Sequence, residues 1–242
     1  MIINEGTGFK DIAAKWSDAH KFSPAPRHRR RILLGILKKI NYESCLDAGC
    51  AQPYLLESLC RQNKRVFGCD ISDKVIEVNR KRFPHAGFEV VDISKQTYPL
   101  SKKFDLVISS EVLEHIEDWR AGLRNLTLMS GHLLLITIPT GKIHKMDQLV
   151  GHIRHYTYEE LKKEIEKNNF RVVFHKYWGM PFHTVYKYLI NTFDYRKTYE
   201  HFAVQNYGVI KKILSQILYL LFYFNDIFKS GSQLFILAEK IN

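Results

Sequence analysis

Residues 45–59 read CLDAGCAQPYLLESL. The apolar run Cys45 to Ala48 has the length and composition of a buried strand. It stops at a turn of small residues around Gly49, and from Tyr54 to Arg61 the apolar side chains recur at helical spacing. Strand, glycine turn and helix in that order open a βαβ unit. The turn falls at the carboxyl end of the strand, where open α/β sheets take their ligands. Glycine lets the backbone approach a ligand closely, and the helix start beyond it offers N–H groups to an anionic group.

The same alternation runs on downstream. Strands are predicted at 65–70, 87–92, 104–109, 132–138, 170–177 and 233–238, and helices at 73–83, 112–129 and 158–168. Upstream, a polar arm with isolated aromatics (Phe9, Trp16, Phe22) ends in Ser23-Pro24-Ala25-Pro26. That tetrapeptide reads as a breaker before a helix over 30–40. Residues 178–230 are rich in aromatics and read as a helical insertion before the last strand. The predicted architecture is an α/β, Rossmann-like, seven-stranded, mostly parallel sheet with helices on both faces. Residues 1–43 form its arm and covering helix, 44–177 its core, 178–230 a substrate or interface region, and 231–242 its last strand.

The chain has 242 residues, 45% hydrophobic and 25% charged, which suits one globular α/β domain. Residues 1–10 do not read as a secretory leader. Cys45, Cys50, Cys60 and Cys69 form no Cys-x-x-Cys pair and read as reduced thiols in a cytoplasmic protein. The apolar run Ile217 to Phe224 is far short of the roughly 18 residues a membrane span needs. It suits packing on the sheet, contact with a membrane surface or a second subunit. The net charge is +11, with a basic run at Arg27, Arg29, Arg30 and Arg31. Such a balance suits an anionic partner such as nucleic acid, phospholipid or an acidic metabolite, or simply a solvated surface. No basic-aromatic RNA-binding motif is visible.

Asp70 ends the second predicted strand, 21 residues past Gly49, where a carboxylate accepts from ribose hydroxyls. Asp92 ends the third, placed for an adenine amine, with Ile71 and Ile93 as apolar neighbours of the ring. Either aspartate could instead be a helix cap. If a helix begins near Ser110, Glu111, Glu114 and His115 share one face at i, i+3 and i+4. Two carboxylates and an imidazole there could hold a divalent cation or supply a general base. A second cluster, Gly151-His152-Ile153-Arg154-His155-Tyr156-Thr157, follows the fifth strand. Arg154 is suited to pairing a carboxylate or phosphate.

The stretches LDAGCAQPYLLESL, VFGCDIS, FEVVDIS, FDLVISSEVLEHIEDW and HLLLITIPTG, in that order and spacing, resemble the class I S-adenosylmethionine (SAM)-dependent methyltransferases. The resemblance covers 45–178. It implies SAM as cofactor, with Asp47, Ala48 and Gly49 in the binding turn, Asp70 and Ile71 at the ribose, Asp92 and Ile93 at the adenine, and Ser110 beside them. It also implies an N-terminal arm over the cofactor, with one of Arg27 to Arg31 at its carboxylate. Glu-x-x-Glu-His followed by a distant His is similar to ubiquinone-biosynthesis O-methyltransferases and small-RNA 2′-O-methyltransferases. That implies Mg²⁺, Mn²⁺ or Zn²⁺ held by Glu111, Glu114, His115 and His152, with Glu114, His115 and His152 catalytic. The substrate then expected is a small-molecule, glycan or lipid-linked hydroxyl, with RNA as the alternative. The family's usual second glycine is Ala51 here and Pro53 follows, which fixes φ and removes a donor. A non-catalytic binding protein on the same fold is the reading those two residues favour.

Overall fold

A computed structural model describes residues 17–51, 54–99, 103–192, 196–197, 200 and 206–241. Its strands are β1 (Ser44–Ala48), β2 (Arg65–Asp70), β3 (Gly87–Val90), β4 (Phe104–Ser110), β5 (Ser130–Pro139), β6 (Phe170–Trp178) and β7 (Gln233–Lys240). They form one sheet in the order β3-β2-β1-β4-β5-β7-β6. All neighbours are parallel except β7, which runs antiparallel to both β5 and β6. The strand order reverses between β1 and β4, so the crevice beyond their carboxyl ends is the place for a ligand.

The helices on the sheet are α1 (Ser17–Phe22), α2 (Pro24–Leu37), α3 (Tyr54–Cys60), α4 (Asp73–Arg82), α5 (Trp119–Met129), α6 (Lys145–Leu149), α7 (Tyr158–Lys167), α8 (Phe182–Thr192) and α9 (Val209–Leu221). Central strands are buried on both faces, which explains their near-continuous apolar runs. Along β4 and β5 the side chains alternate. Val107, Leu134 and Ile136 pack with Leu123 and Leu126 of α5 and Leu161 and Ile165 of α7. Leu106, Ile108, Leu133 and Leu135 pack on the other face with Ile32, Leu33 and Ile36 of α2 and with Leu56 and Leu59 of α3.

Two local expectations are corrected. Ser23-Pro24-Ala25-Pro26 does not separate an arm from a helix. α2 begins at Pro24 itself, with Ser23 extended at its N-cap. A proline in the first turn loses no helical hydrogen bond and its fixed φ suits that turn. The helix expected over 112–129 is broken. Glu111 has φ +58, residues 113–115 form a single 3₁₀ turn, and α5 starts at Trp119, capped by Asp118 Oδ1 accepting from Ala121 N at 3.0 Å.

α9 lies on α2 through the basic run. Arg27 donates to Gln216 Oε1 at 3.0 Å and stacks 3.6 Å from the Tyr219 ring. Arg31 pairs with Asp226 at 2.7 Å. His28 donates from Nε2 to Tyr219 O at 2.8 Å and accepts at Nδ1 from Arg31 Nε at 3.1 Å. Among the described residues no helix is long and apolar enough to cross a membrane. All four cysteines are free, three of them buried, and burial pushes the thiols of Cys45 and Cys69 up to about 12.

Candidate active site

A cleft of about 660 Å³ opens beyond the carboxyl ends of β1, β2 and β4. Asp47, Gly49, Asp70, Ile71, Asp92, Ile93 and Ser110 all line it, together with Glu111, His115 and His152. The predicted cofactor positions therefore converge, apart from Ala48, which is wholly buried inside the sheet core. α1 and α2 roof the cleft with Ala19, His20, Pro26, Arg29, Arg30 and Leu33. Of the four arginines, only Arg29 and Arg30 reach it. Trp16 and Pro53 lie outside the described residues.

The turn after β1 is built for close approach. Gly49 has φ +79, and a Cβ there would collide with the Val112 side chain. Its N–H and that of Cys50 both donate to Cys69 O, at 2.8 and 2.9 Å, so the turn is tied to β2. Asp70 holds the neighbouring loops: Oδ2 accepts from Ala51 N at 3.1 Å and Oδ1 from Ser72 N at 2.9 Å. The cap of α4 is Ser72, whose Oγ accepts from Val75 N. Asp70 is thus no helix cap. Burial raises its acid, against the hydrogen bonds from Ser72 and Ala51. Asp47 is more affected: burial, then the nearby Asp70 charge, push it up to about 7. Asp92 accepts from Ser94 N at 3.0 Å and Ser94 Oγ at 2.6 Å, and pairs with Lys95 at 3.0 Å. Against partial burial, those partners hold its acid below the ordinary range. Ile71 is 60% exposed within the cleft, an apolar surface suited to one face of a ring.

At the other end, three hydrogen bonds pin the loop 151–156 onto the 3₁₀ turn. Ile153 N donates to Glu114 O at 2.9 Å, Tyr156 Oη to Leu113 O at 2.8 Å, and His115 Nδ1 to Gly151 O at 3.1 Å. A carbonyl only accepts, so His115 carries its proton on Nδ1. The same logic runs down the next chain. His155 donates from Nδ1 to Gly141 O at 3.2 Å, so its Nε2 accepts from His152 Nδ1 at 3.0 Å, leaving His152 Nε2 bare. Burial, with the neighbouring His115, lowers His152 to about 3, and burial also lowers His115. Both imidazoles are therefore neutral at pH 7.

Glu114, His115 and His152 offer ligand atoms all within 4.8 Å of one another. Glu114 is fully buried, and neither of its carboxylate oxygens has a partner. Burial, then the charge of Glu111, raises its acid well above the usual range. Glu111 does not join the cluster as expected. Its left-handed backbone turns the side chain away, to Arg29 at 2.7 Å, Gln233 Nε2 at 2.7 Å and Thr137 Oγ1 at 3.1 Å. Arg154 pairs with Glu160 at 2.6 Å. Sequence reasoning missed Asp147, 3.0 Å from Lys187 and 3.9 Å from His155 Nε2. It also missed Gln233. Neither sits in a motif, and both reach the site from distant elements.

Residues 11–175 match a family profile described as a methyltransferase domain. The chain belongs to the class I SAM-dependent methyltransferase family. It is similar to the ubiquinone biosynthesis O-methyltransferase of Serratia proteamaculans, 29% identical over 143 residues, covering 54% of this chain and 58% of that one. The protein of the same name from Photorhabdus laumondii is 29% identical over 156 residues, covering 59% and 64%. This methyltransferase-family chain therefore spans less than two thirds of the length of either relative. Among solved structures, the N-methyltransferase NodS from Bradyrhizobium japonicum in complex with S-adenosylhomocysteine superposes with a TM-score of 0.60 at 16% identity, covering 93% and 91%. A crystallised cyclase, SpnF, superposes at 0.61 with 12% identity, covering 89% and 82%. Likeness at that level establishes the fold, and the site must carry the chemistry.

Proposed function

We propose that this chain binds SAM in the cleft beyond β1 and β4 and directs its methyl group to a hydroxyl oxygen of a small-molecule, glycan or lipid-linked acceptor. The observation that carries this is the convergence of Gly49, Asp70, Asp92, His115 and His152 on one cleft, with Glu114 buried beside the two histidines. The residues fit the cofactor. The glycine turn at Gly49 lines the cleft, the Asp70 carboxylate stands there as an acceptor for ribose hydroxyls, and the Ile71 face and Asp92 suit an adenine. Asp47 is a buried carboxyl set to pair with a cationic group, and Arg29 and Arg30 reach the same cleft for a carboxylate. The family profile supports methyl transfer, and the relatives named as O-methyltransferases support oxygen as the acceptor atom.

When bound, SAM supplies a methyl group already activated by its sulfonium, so the protein's task is alignment and proton removal. His115 Nε2 is the base for the acceptor hydroxyl, because His152, at about 3, is too weak to take that proton. The buried, partnerless Glu114 carboxylate and the neighbouring imidazoles of His115 and His152 also fit a divalent cation of the Mg²⁺, Mn²⁺ or Zn²⁺ class. Such an ion would acidify a coordinated hydroxyl. Gly151 O and His155 orient the two imidazoles as outer partners do in metal sites. The basic run lends RNA no support: Arg27, Arg29 and Arg31 have partners within the fold and Arg30 faces the cleft.

Calorimetric titration with SAM tests the proposal. The wild type is expected to bind, and Gly49→Ala to lose binding, since it adds both a Cβ clash and a positive-φ strain of about 1–3 kcal/mol. A folded wild-type chain that gives neither heat nor thermal shift with SAM sinks the reading.

A further inference from the structure

Lys187 stands on α8, in the insertion before the last strand. Its side chain is 13% exposed and its ammonium lies 3.0 Å from Asp147, whose side chain is 10% exposed. Charges withdrawn this far from water need a partner, and here each supplies the other's. The carboxylate has further neighbours. Asp147 Oδ2 accepts from His144 N at 2.8 Å, meets Lys187 Nζ, and lies 3.9 Å from His155 Nε2. Against burial, Lys187 foremost and then the His144 N–H hold the Asp147 acid below the ordinary carboxylate range. His155 Nε2 therefore stands between two claims. Asp147 would take a proton from it, and His152 Nδ1, at 3.0 Å, offers it one. A neutral imidazole nitrogen either donates or accepts. If His155 Nε2 accepts, His152 keeps its proton on Nδ1. If it donates to Asp147, His155 turns a bare Nδ1 on Gly141 O, 3.2 Å away, and an Nδ1 proton on His152 has no acceptor. Lys187 weighs on that choice twice. It satisfies the carboxylate, and burial first and then the Lys187 charge lower His155.

We propose that Lys187 is a positioning residue of the candidate active site: by pairing with Asp147 it holds His155, and through it His152, in the neutral tautomer protonated on Nδ1. His152 lines the cofactor cleft, and its unprotonated nitrogen is what a cation or an acceptor hydroxyl needs there. The insertion thereby acts on the site from outside it. Its second hold is Asn191, whose Oδ1 accepts from Met146 N at 3.0 Å. α6 is thus fixed to α8 at two points, and the Asp147 carbonyl accepts from His152 N at 2.9 Å. The inference rests on the reading of His152 as a site residue, and its test does not pass through SAM or methyl transfer.

The test is proton–nitrogen correlation NMR of the full chain with ¹⁵N-labelled histidine, which tells a protonated ring nitrogen from a bare one. The rings of His152 and His155 are assigned by the signals lost in His152→Gln and His155→Gln. The wild type at pH 7 is expected to show both rings protonated on Nδ1. Lys187→Met, of like length and uncharged, is expected to move the His155 proton to Nε2 and to draw the two His152 nitrogen shifts together or past each other. Lys187→Arg is expected to restore the wild-type pattern. Lys187→Met with Asp147→Asn leaves no buried charge unpaired, so it serves where the single variant does not fold, and it is expected to keep the wild-type tautomers. A wild-type His152 protonated on Nε2, a folded Lys187→Met with unchanged tautomers, or a double variant with altered ones overturns the proposal. Calorimetry with SAM on the same wild-type sample reads the cofactor separately: expected tautomers without heat would sink methyl transfer and leave the positioning intact.

Discussion

Asp47 and Asp70 stand together at the head of the cleft, and Asp70 accepts from backbone N–H groups. Asp47, pushed up to about 7 by burial and by its neighbour, is about half protonated at neutral pH. A cationic ligand beside it favours the ionised form. SAM binding at pH 7 is therefore expected to release up to about half a proton, read as a binding enthalpy that changes with the ionisation enthalpy of the buffer. No buffer dependence would separate Asp47 from the cationic end of the ligand. Glu114→Gln makes a complementary test. The amide keeps the shape and removes a buried carboxyl without partners, so the apo melting temperature is expected to hold or rise. Any stabilisation by Mn²⁺ or Zn²⁺ should vanish. A wild type that none of the three cations stabilises ends the metal proposal. At this scale the sequence was legible where a strand end fixes a side chain, as at Asp70, whereas β3 stops at Val90, two residues before Asp92. It was not legible for Glu111, because nothing in its neighbours announces φ +58.

The elements were legible wherever periodicity and boundary signals agree. β2, α4 and β4 fall within a residue or two of the expected ranges because Ser72 and the apolar runs bound them. The segment 112–129 deceived because Val112, Leu113, Ile116 and Trp119 keep a helical spacing across a stretch that is not a helix. Glu111, anchored to Arg29, Thr137 and Gln233, forces the chain into a tight turn, and the helix restarts only where Asp118 can cap it. The Asp118 cap is separable from the site. Asp118→Ala is expected to cost about 1 kcal/mol, lowering the melting temperature by about 2–4 °C with SAM affinity unchanged. A loss of affinity with that small shift would show that α5 and the 3₁₀ turn act as one unit. Ser23-Pro24-Ala25-Pro26 deceived in the other direction: prolines stop a helix from within but start one well, and the pattern alone does not say which.

Over the whole molecule, the basic run that suggested a nucleic-acid partner is organised inward. Arg27 and Arg31 clamp α9, and Arg29 and Arg30 face the cleft. Composition gives the excess but not its direction, since the partners Gln216, Tyr219 and Asp226 lie roughly 190 residues away. The same clamp sets how the fold responds to acid. Trp178 is sandwiched between His28 and His183, each stacked with its ring centre 5.1 Å away. His28 donates from one nitrogen to Tyr219 O and accepts at the other from Arg31. A second proton would face a donor and a fixed cation. Burial foremost lowers His28 to about 4 and His183 to about 3. In the unfolded chain both take a proton near 6.5. Above that value neither state is charged at these two histidines and their contribution to stability is level. Below it the unfolded chain binds two more protons than the folded one, so stability falls as pH drops. The expected slope between about pH 6 and pH 4 is about 1.4 kcal/mol per pH unit for each histidine. Urea unfolding at pH 7, 6 and 5 measures it, and His28→Gln should remove its share. A slope from pH 7 to pH 5 that is the same in the wild type and in His28→Gln would mean that the stack opens to solvent, and with it the seam that joins α9 to the roof of the cleft.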